Sequence, residues 1–206
     1  MKRLATILAL ACLQFAALTC ADKSPPPSKT VVSGPAPDSF RVTFETSRGP
    51  FVVAVNRAWA PLGAGRFRDL VQSGFFDGDR FFRVVPGFVA QFGINDKSSV
   101  NDAWEKPILD DSVRQSNVRG TIVFATEGPK TRTHQMFINL ADNAQLDRMG
   151  FSPIGRVVEG MAVVDSLYGG YGETPEQHFI QTMGNSYLTR LFPKLDYIKT
   201  VKQSVY

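Results

Sequence analysis

Cysteine is almost absent: the 206 residues contain two, Cys12 and Cys20, both at the extreme amino-terminal end. A disulfide scaffold is therefore excluded, and the fold must rest on a buried core. Histidine is equally scarce, with only His134 and His178, too few and too far apart in the chain to specify a metal site. No phosphate loop is present, because Gly169-Gly170-Tyr171-Gly172 lacks both the Gly-Lys-Ser/Thr ending and a preceding strand and reads as a turn after a helix. The net charge of +4 is too small to point to a nucleic-acid partner. The longest apolar run, residues 4–18, falls short of the roughly 18 to 20 residues that span a bilayer. There is no internal repeat.

What is present begins with an address. Met1-Lys2-Arg3 followed by the apolar run and then small residues predicts a signal peptide over residues 1–21 and an exported protein, periplasmic in a bacterium. Cleavage after Ala21 would remove both cysteines and two of the 23 basic residues, leaving 21 against 19 acidic, a net of +2. Ala17-Leu18-Thr19-Cys20 also resembles a lipoprotein box, although Thr19 stands where Gly, Ala or Ser is usual. Lipidation at Cys20 would anchor the protein to the membrane; ordinary cleavage would release it. Residues 22–39 hold five prolines with serines and read as a disordered linker, so the folded domain is expected over residues 40–206.

From Phe40 the pattern turns to period two. Phe40, Val42 and Phe44 alternate with polar residues, Arg48-Gly49-Pro50 marks a turn, and Phe51, Val53 and Val55 alternate again, which predicts a β-hairpin with one buried face. Residues 61–74 switch to helical spacing, opened by Pro61 and stopped by Gly74, although Ala60 is a poor N-cap. Short apolar runs at 80–85, 88–92, 121–125, 135–139 and 154–158 read as strands, with a last strand at 195–201. Short helices are expected at 161–168 and 186–192, and the polar stretch 95–102 reads as a loop. Sixteen phenylalanines against five tyrosines and two tryptophans suit a small, tightly filled, β-rich interior. The fold class is mainly β, a barrel or sandwich.

The most unusual stretch is Phe81-Phe82-Arg83-Val84-Val85-Pro86-Gly87-Phe88-Val89-Ala90-Gln91. A guanidinium set in an apolar strand must find partners, by reaching the surface or by pairing with a carboxylate, or else serve a site. Gln135-Met136-Phe137-Ile138 again places an amide beside aromatic residues. The neighbouring Asp110-Asp111 could be an acid pair, but adjacent carboxylates in a loop are usually solvated or capping.

These two runs, with Gly120-Thr-Ile-Val-Phe-Ala125, Leu146-Asp147 and the segment Phe151 to Gly160, resemble the cyclophilin family of peptidyl-prolyl cis/trans isomerases over about residues 40–172, and the tail around Leu191-Phe192-Pro193 looks like a secreted bacterial branch. The resemblance implies a closed eight-stranded antiparallel β-barrel capped by two helices. It implies isomerase activity on X-Pro bonds of unfolded or flexible polypeptides, no cofactor, no metal and a monomer, with a catalytically weak proline-peptide binding module as the alternative. It makes Arg83 and Gln91 catalytic, and Phe88, Val89, Ala125, Thr126, Gln135, Met136, Phe137, Leu146 and Phe151 substrate-binding. Gln145, where many eukaryotic members have tryptophan, implies weak cyclosporin binding.

Overall fold

The computed structural model describes residues 37–204; the expected signal peptide, Cys20 and nearly all of the linker lie outside them. Eight strands form a single antiparallel sheet: β1 (Ser39–Thr46), β2 (Gly49–Asn56), β3 (Arg83–Val85), β4 (Val89–Phe92), β5 (Thr121–Phe124), β6 (Met136–Asn139), β7 (Pro153–Glu159) and β8 (Ile198–Ser204). Their order is β3-β4-β6-β5-β7-β2-β1-β8. The hairpin turn falls at Ser47-Arg48, with Thr46 opposite Gly49.

The sheet curls around one large apolar cluster, in which period two along each strand decides what enters. Phe40, Val42 and Phe44 of β1 and Phe51, Val53 and Val55 of β2 all point inward and are buried. Phe44 stacks on Phe51 with ring centroids 4.7 Å apart and meets Phe92 edge-on at 5.8 Å, so phenylalanine fills the middle of the curl. Helix α1 (Pro61–Ser73) closes one end with Ala64, Phe67, Leu70 and Val71. Gly74 ends it at φ +73°, a left-handed position that costs glycine nothing. Ala60 supplies no side-chain cap. Instead the Asp111 carboxylate accepts the N–H groups of Leu62 at 3.0 Å and Gly63 at 2.8 Å, so the orphan donors of α1 are satisfied from 48 or more residues away.

Two expectations are corrected. The barrel is not closed by a ladder. Strands β3 and β8 stand at opposite edges of the sheet, and the seam between them is joined by an isolated Arg80–Tyr197 bridge with backbone bonds from Phe81 N–H to the Asp196 carbonyl (3.0 Å) and from Ile198 N–H to the Asp79 carbonyl (2.8 Å). The edge of β3 is taken by another segment, because Val84 bridges Gly172. Nor are there two helices. Among the described residues α1 is joined by α2 (Ser98–Trp104), α3 (Met161–Asp165), α4 (Gln177–Met183), α5 (Asn185–Leu191) and a 3-10 helix at Ala144–Met149. α2 occupies much of the expected polar loop, and it buries only Asn101, too little to leave a periodic trace in the sequence. α4 and α5 pack Ile180, Tyr187 and Leu188 against Phe82, Ile94, Phe192 and Leu195 in a second apolar cluster beside the seam.

Asp79 sits in this seam fully buried, and neither carboxylate oxygen has a hydrogen-bond partner. Burial first, then the nearby Asp77 and Asp96 charges, push its carboxyl well above the usual range. A carboxyl raised on folding gives stability that is complete below its unfolded value, near 4, and is lost as pH rises through the folded one. The isosteric Asp79→Asn variant cannot ionise there. Its melting temperature is expected to approach the wild-type value near pH 4 and to exceed it increasingly toward pH 8, by roughly 2 to 4 °C per kcal/mol. Thermal unfolding followed by circular dichroism across that range checks this, and a pH-independent difference would contradict it.

Candidate active site on the outer face of the sheet

The inward residues of β4, β5 and β6 join the core, and the alternate set faces outward. Ala90 and Phe92, Ile122 and Phe124, and Met136 and Ile138 point in; Val89, Val123 and Phe137 belong to a separate outer cluster with Leu146, packed against Phe88, Ala125 and Phe151. Register sets one row straight across four strands, since Arg83 lies opposite Gln91, Gln91 opposite Phe137, and Phe137 opposite Val123. A cationic group, an amide and an apolar floor are thereby placed side by side on one surface.

This surface forms the wall of an open cavity of about 550 Å³. Of the expected site residues, Arg83, Phe88, Val89, Gln91, Ala125, Thr126, Gln135, Phe137, Leu146 and Phe151 all line it. Met136 does not. It is fully buried in the core because its position in β6 has the opposite parity to Phe137, and this corrects the expectation for its side chain. Thr126 is present, but its hydroxyl is engaged in its own loop with Gly128 and Thr131. Gln145 is exposed on the 3-10 helix and is not among the lining residues.

The polar side chains form a directed chain. Arg83 Nη1 donates to Gln91 Oε1 at 3.1 Å, and Gln91 Nε2 donates to Gln135 Oε1 at 2.9 Å. On its other side Arg83 Nε donates to Glu173 Oε1 at 2.7 Å, and Nη2 donates to the same oxygen. The Arg83 guanidinium also stands 5.6 Å from the centroid of the Phe88 ring. Three of its five N–H groups are thus engaged, leaving one on each terminal nitrogen. Glu173 is the partner that sequence reading missed. Its neighbour Gly172 bridges β3, which brings the carboxylate to Arg83 from 90 residues away, and no local pattern announces that contact.

The apolar floor is held by buried asparagines, which the sequence reading also passed over. Asn143 Nδ2 donates to the Phe88 carbonyl at 2.9 Å and to Asn139 Oδ1 at 2.7 Å, while Asn117 Nδ2 donates to the Phe151 carbonyl at 2.8 Å and to Asp147 Oδ1 at 2.7 Å. Partial burial pulls the Asp147 carboxyl upward, but hydrogen bonds from Ser116 and Asn117 outweigh it and hold the group below its usual value. The Leu146 N–H donates to the Asn143 carbonyl at 2.9 Å and the Phe151 N–H to the Leu146 carbonyl at 3.2 Å, which ties both to this network, and Phe151 meets Phe137 edge-on at 5.6 Å. His134 is buried between the Gly93 carbonyl (2.7 Å) and Glu105 (3.1 Å), and the described residues contain no cluster of three metal-ligating side chains.

The fold is thus a curled antiparallel sheet with an apolar socket on its outer face and a tethered guanidinium at the rim. The comparisons with known proteins place it further. The family model for cyclophilin type peptidyl-prolyl cis-trans isomerase/CLD matches residues 41–184, and the chain belongs to that family. It is 39% identical over 140 residues to peptidyl-prolyl cis-trans isomerase A of Dickeya dadantii, covering 64% of this chain and 73% of the relative. To a peptidyl-prolyl cis-trans isomerase of Acinetobacter baylyi it is 32% identical over 160 residues, covering 71% and 85%. Among solved structures it shares its fold with a Cryptosporidium parvum cyclophilin type peptidyl-prolyl cis-trans isomerase, at a TM-score of 0.60 and 17% identity, covering 82% of this chain and 99% of that one. The same parasite protein has been solved in the presence of the dipeptide Ala-Pro.

Proposed function

We infer that the chain is a peptidyl-prolyl cis/trans isomerase in which Arg83 and Gln91 act on the X-Pro amide while Phe88, Val89, Phe137, Leu146 and Phe151 receive the proline ring. The observation that carries this reading is the in-register row that puts the Arg83 guanidinium, with two N–H groups unengaged, beside the apolar floor at Phe137. An X-Pro amide resists rotation by roughly 18 to 20 kcal/mol because nitrogen lone-pair resonance stiffens the C–N bond. Twisting the bond localises that lone pair on nitrogen. A guanidinium donating toward the prolyl nitrogen favours the twisted state over either planar state, and this difference is what lowers the barrier. The floor holds the ring still while the preceding carbonyl turns, and Ala125 and Gln135 border the preceding residue. No bond between heavy atoms is made or broken.

The clients we propose are unfolded or flexible exported polypeptides. The support is the sequence of residues 1–21, with release into the periplasm or anchoring through Cys20 as its two outcomes. A binding module without turnover would need Arg83 or its amide partners replaced, and Arg83, Gln91 and Gln135 are all in place. Protease-free exchange NMR on an Ala-Pro-Phe peptide tests the activity. Isomerisation well faster than the uncatalysed 10 to 100 s timescale carries the reading, and a background rate ends it.

Glu173 enters this reading as a positioning residue, since it touches Arg83 and not the reacting amide. Its carboxylate is largely exposed and such pairs contribute at most about 1 kcal/mol, so Glu173→Ala is expected to lower kcat a few-fold with KM nearly constant. Glu173→Gln, which keeps an acceptor oxygen, should restore most of the loss. A change confined to KM would remove Glu173 from this role.

A further inference from the structure

The segment that fills the open seam also builds one side of the groove. Gly172 is bridged to β3, Glu173 is paired with Arg83, and α4 follows directly. Gln177 and Gln181, both on α4, line the same cavity as Arg83, Gln91 and Phe137. Both are only partly exposed, and neither carboxamide has a hydrogen-bond partner among the described residues. The helix that carries them is fixed. Ile180, on the adjoining flank, is buried among Phe82, Ile94 and Leu188, the Glu176 N–H donates to the Tyr187 hydroxyl, and the Asn185 N–H donates to Asp96 Oδ1 at 2.6 Å.

We propose that α4 is a binding wall for the extended chain flanking the substrate proline, with Gln177 and Gln181 hydrogen-bonding its backbone. The proposal rests on the isomerase reading and extends it to substrate length. Residues four apart on a helix hold their Cβ atoms about 5 to 6 Å from each other. An extended chain rises about 3.3 Å per residue, so alternate residues, whose backbone groups face the same edge, repeat at a nearly matching interval. Each carboxamide offers two donors and an acceptor, which suits the N–H and carbonyl of one residue, the two groups that face the same edge of an extended chain. Contacts of this kind read the main chain and not the side chains. They favour long, unfolded segments over short peptides of the same local sequence.

The test compares an Ala-Pro tetrapeptide with a nonapeptide in which the same Ala-Pro is flanked by serine and alanine, on the full chain and on the Gln177→Ala/Gln181→Ala variant. KM by exchange NMR and Kd by titration are read for each. The wild type is expected to favour the nonapeptide by roughly fivefold, the variant by less than about twofold, and the side-chain amide signals of Gln177 and Gln181 to shift on nonapeptide addition. An equal length preference in both proteins, no length preference in the wild type, or unmoved amide signals would each overturn the wall. Absence of turnover with both peptides would strike the isomerase reading instead, and the Kd values would still decide the wall.

Discussion

Arg83→Ala is expected to slow catalysed isomerisation by roughly 10²- to 10³-fold in kcat, the scale on which enzymes lose rate when one preorganised donor is removed from a transition state. The loss belongs in kcat because the ring floor of Phe88, Val89, Phe137, Leu146 and Phe151 is untouched, so KM should move little. Arg83→Lys is not expected to rescue it. An ammonium is a point charge without the planar fork that reaches Gln91 Oε1, Glu173 Oε1 and the groove at once. Protease-free exchange NMR on wild type and both variants at matched concentrations supplies the comparison. Full activity in Arg83→Ala would refute the electrostatic mechanism while leaving the family membership intact.

The largest loss of stability is expected from Asp111→Ala. The carboxylate is buried, accepts two N–H groups at the start of α1, and lies 3.1 Å from both Nη1 and Nη2 of the equally buried Arg132. Removing it strands a buried guanidinium, which costs roughly 3 to 5 kcal/mol, and leaves the helix start uncapped, worth about 1 kcal/mol more. At roughly 2 to 4 °C per kcal/mol the melting temperature should fall by about 8 °C or more. Adding Arg132→Met takes away the stranded charge and should recover part of the loss. A shift of under 3 °C in the single variant would show that Asp110, 3.5 Å from Arg132 Nε, is a sufficient partner for the guanidinium.

What could be read in advance follows the range of the interactions involved. The hairpin β1–β2 and helix α1 were legible because their signals are local: alternation of Phe40, Val42 and Phe44, and the helical period between Pro61 and Gly74. Ten of the eleven expected cavity residues line the cavity, because the resemblance carried a positional pattern that strand parity preserves. Met136 failed for the same reason of parity. The deficit at Ala60 was visible as a poor cap and capping was one reading of Asp110-Asp111, but that Asp111 caps α1 was not legible, and the pairing of Arg83 with a carboxylate was open as an alternative while Glu173 itself was not. α4 left no mark because it buries only Ile180. The expected signal peptide and lipid anchor fall outside the described residues.

The pairing of β1 with β8 has a consequence for how this chain is made. Arg41 lies opposite Ser204, and Phe44 opposite Val201, so the first strand obtains its second neighbour from residues delivered more than 150 positions later. A nascent chain leaving the ribosome therefore presents β1 and β2 as a lone hairpin with Phe40, Val42 and Phe44 uncovered, a unit too small to be stable in water. Only when translation reaches the last strand can the curl be completed. The topology of this isomerase thus contains a long-range pairing that no partly made chain lacking β8 can form.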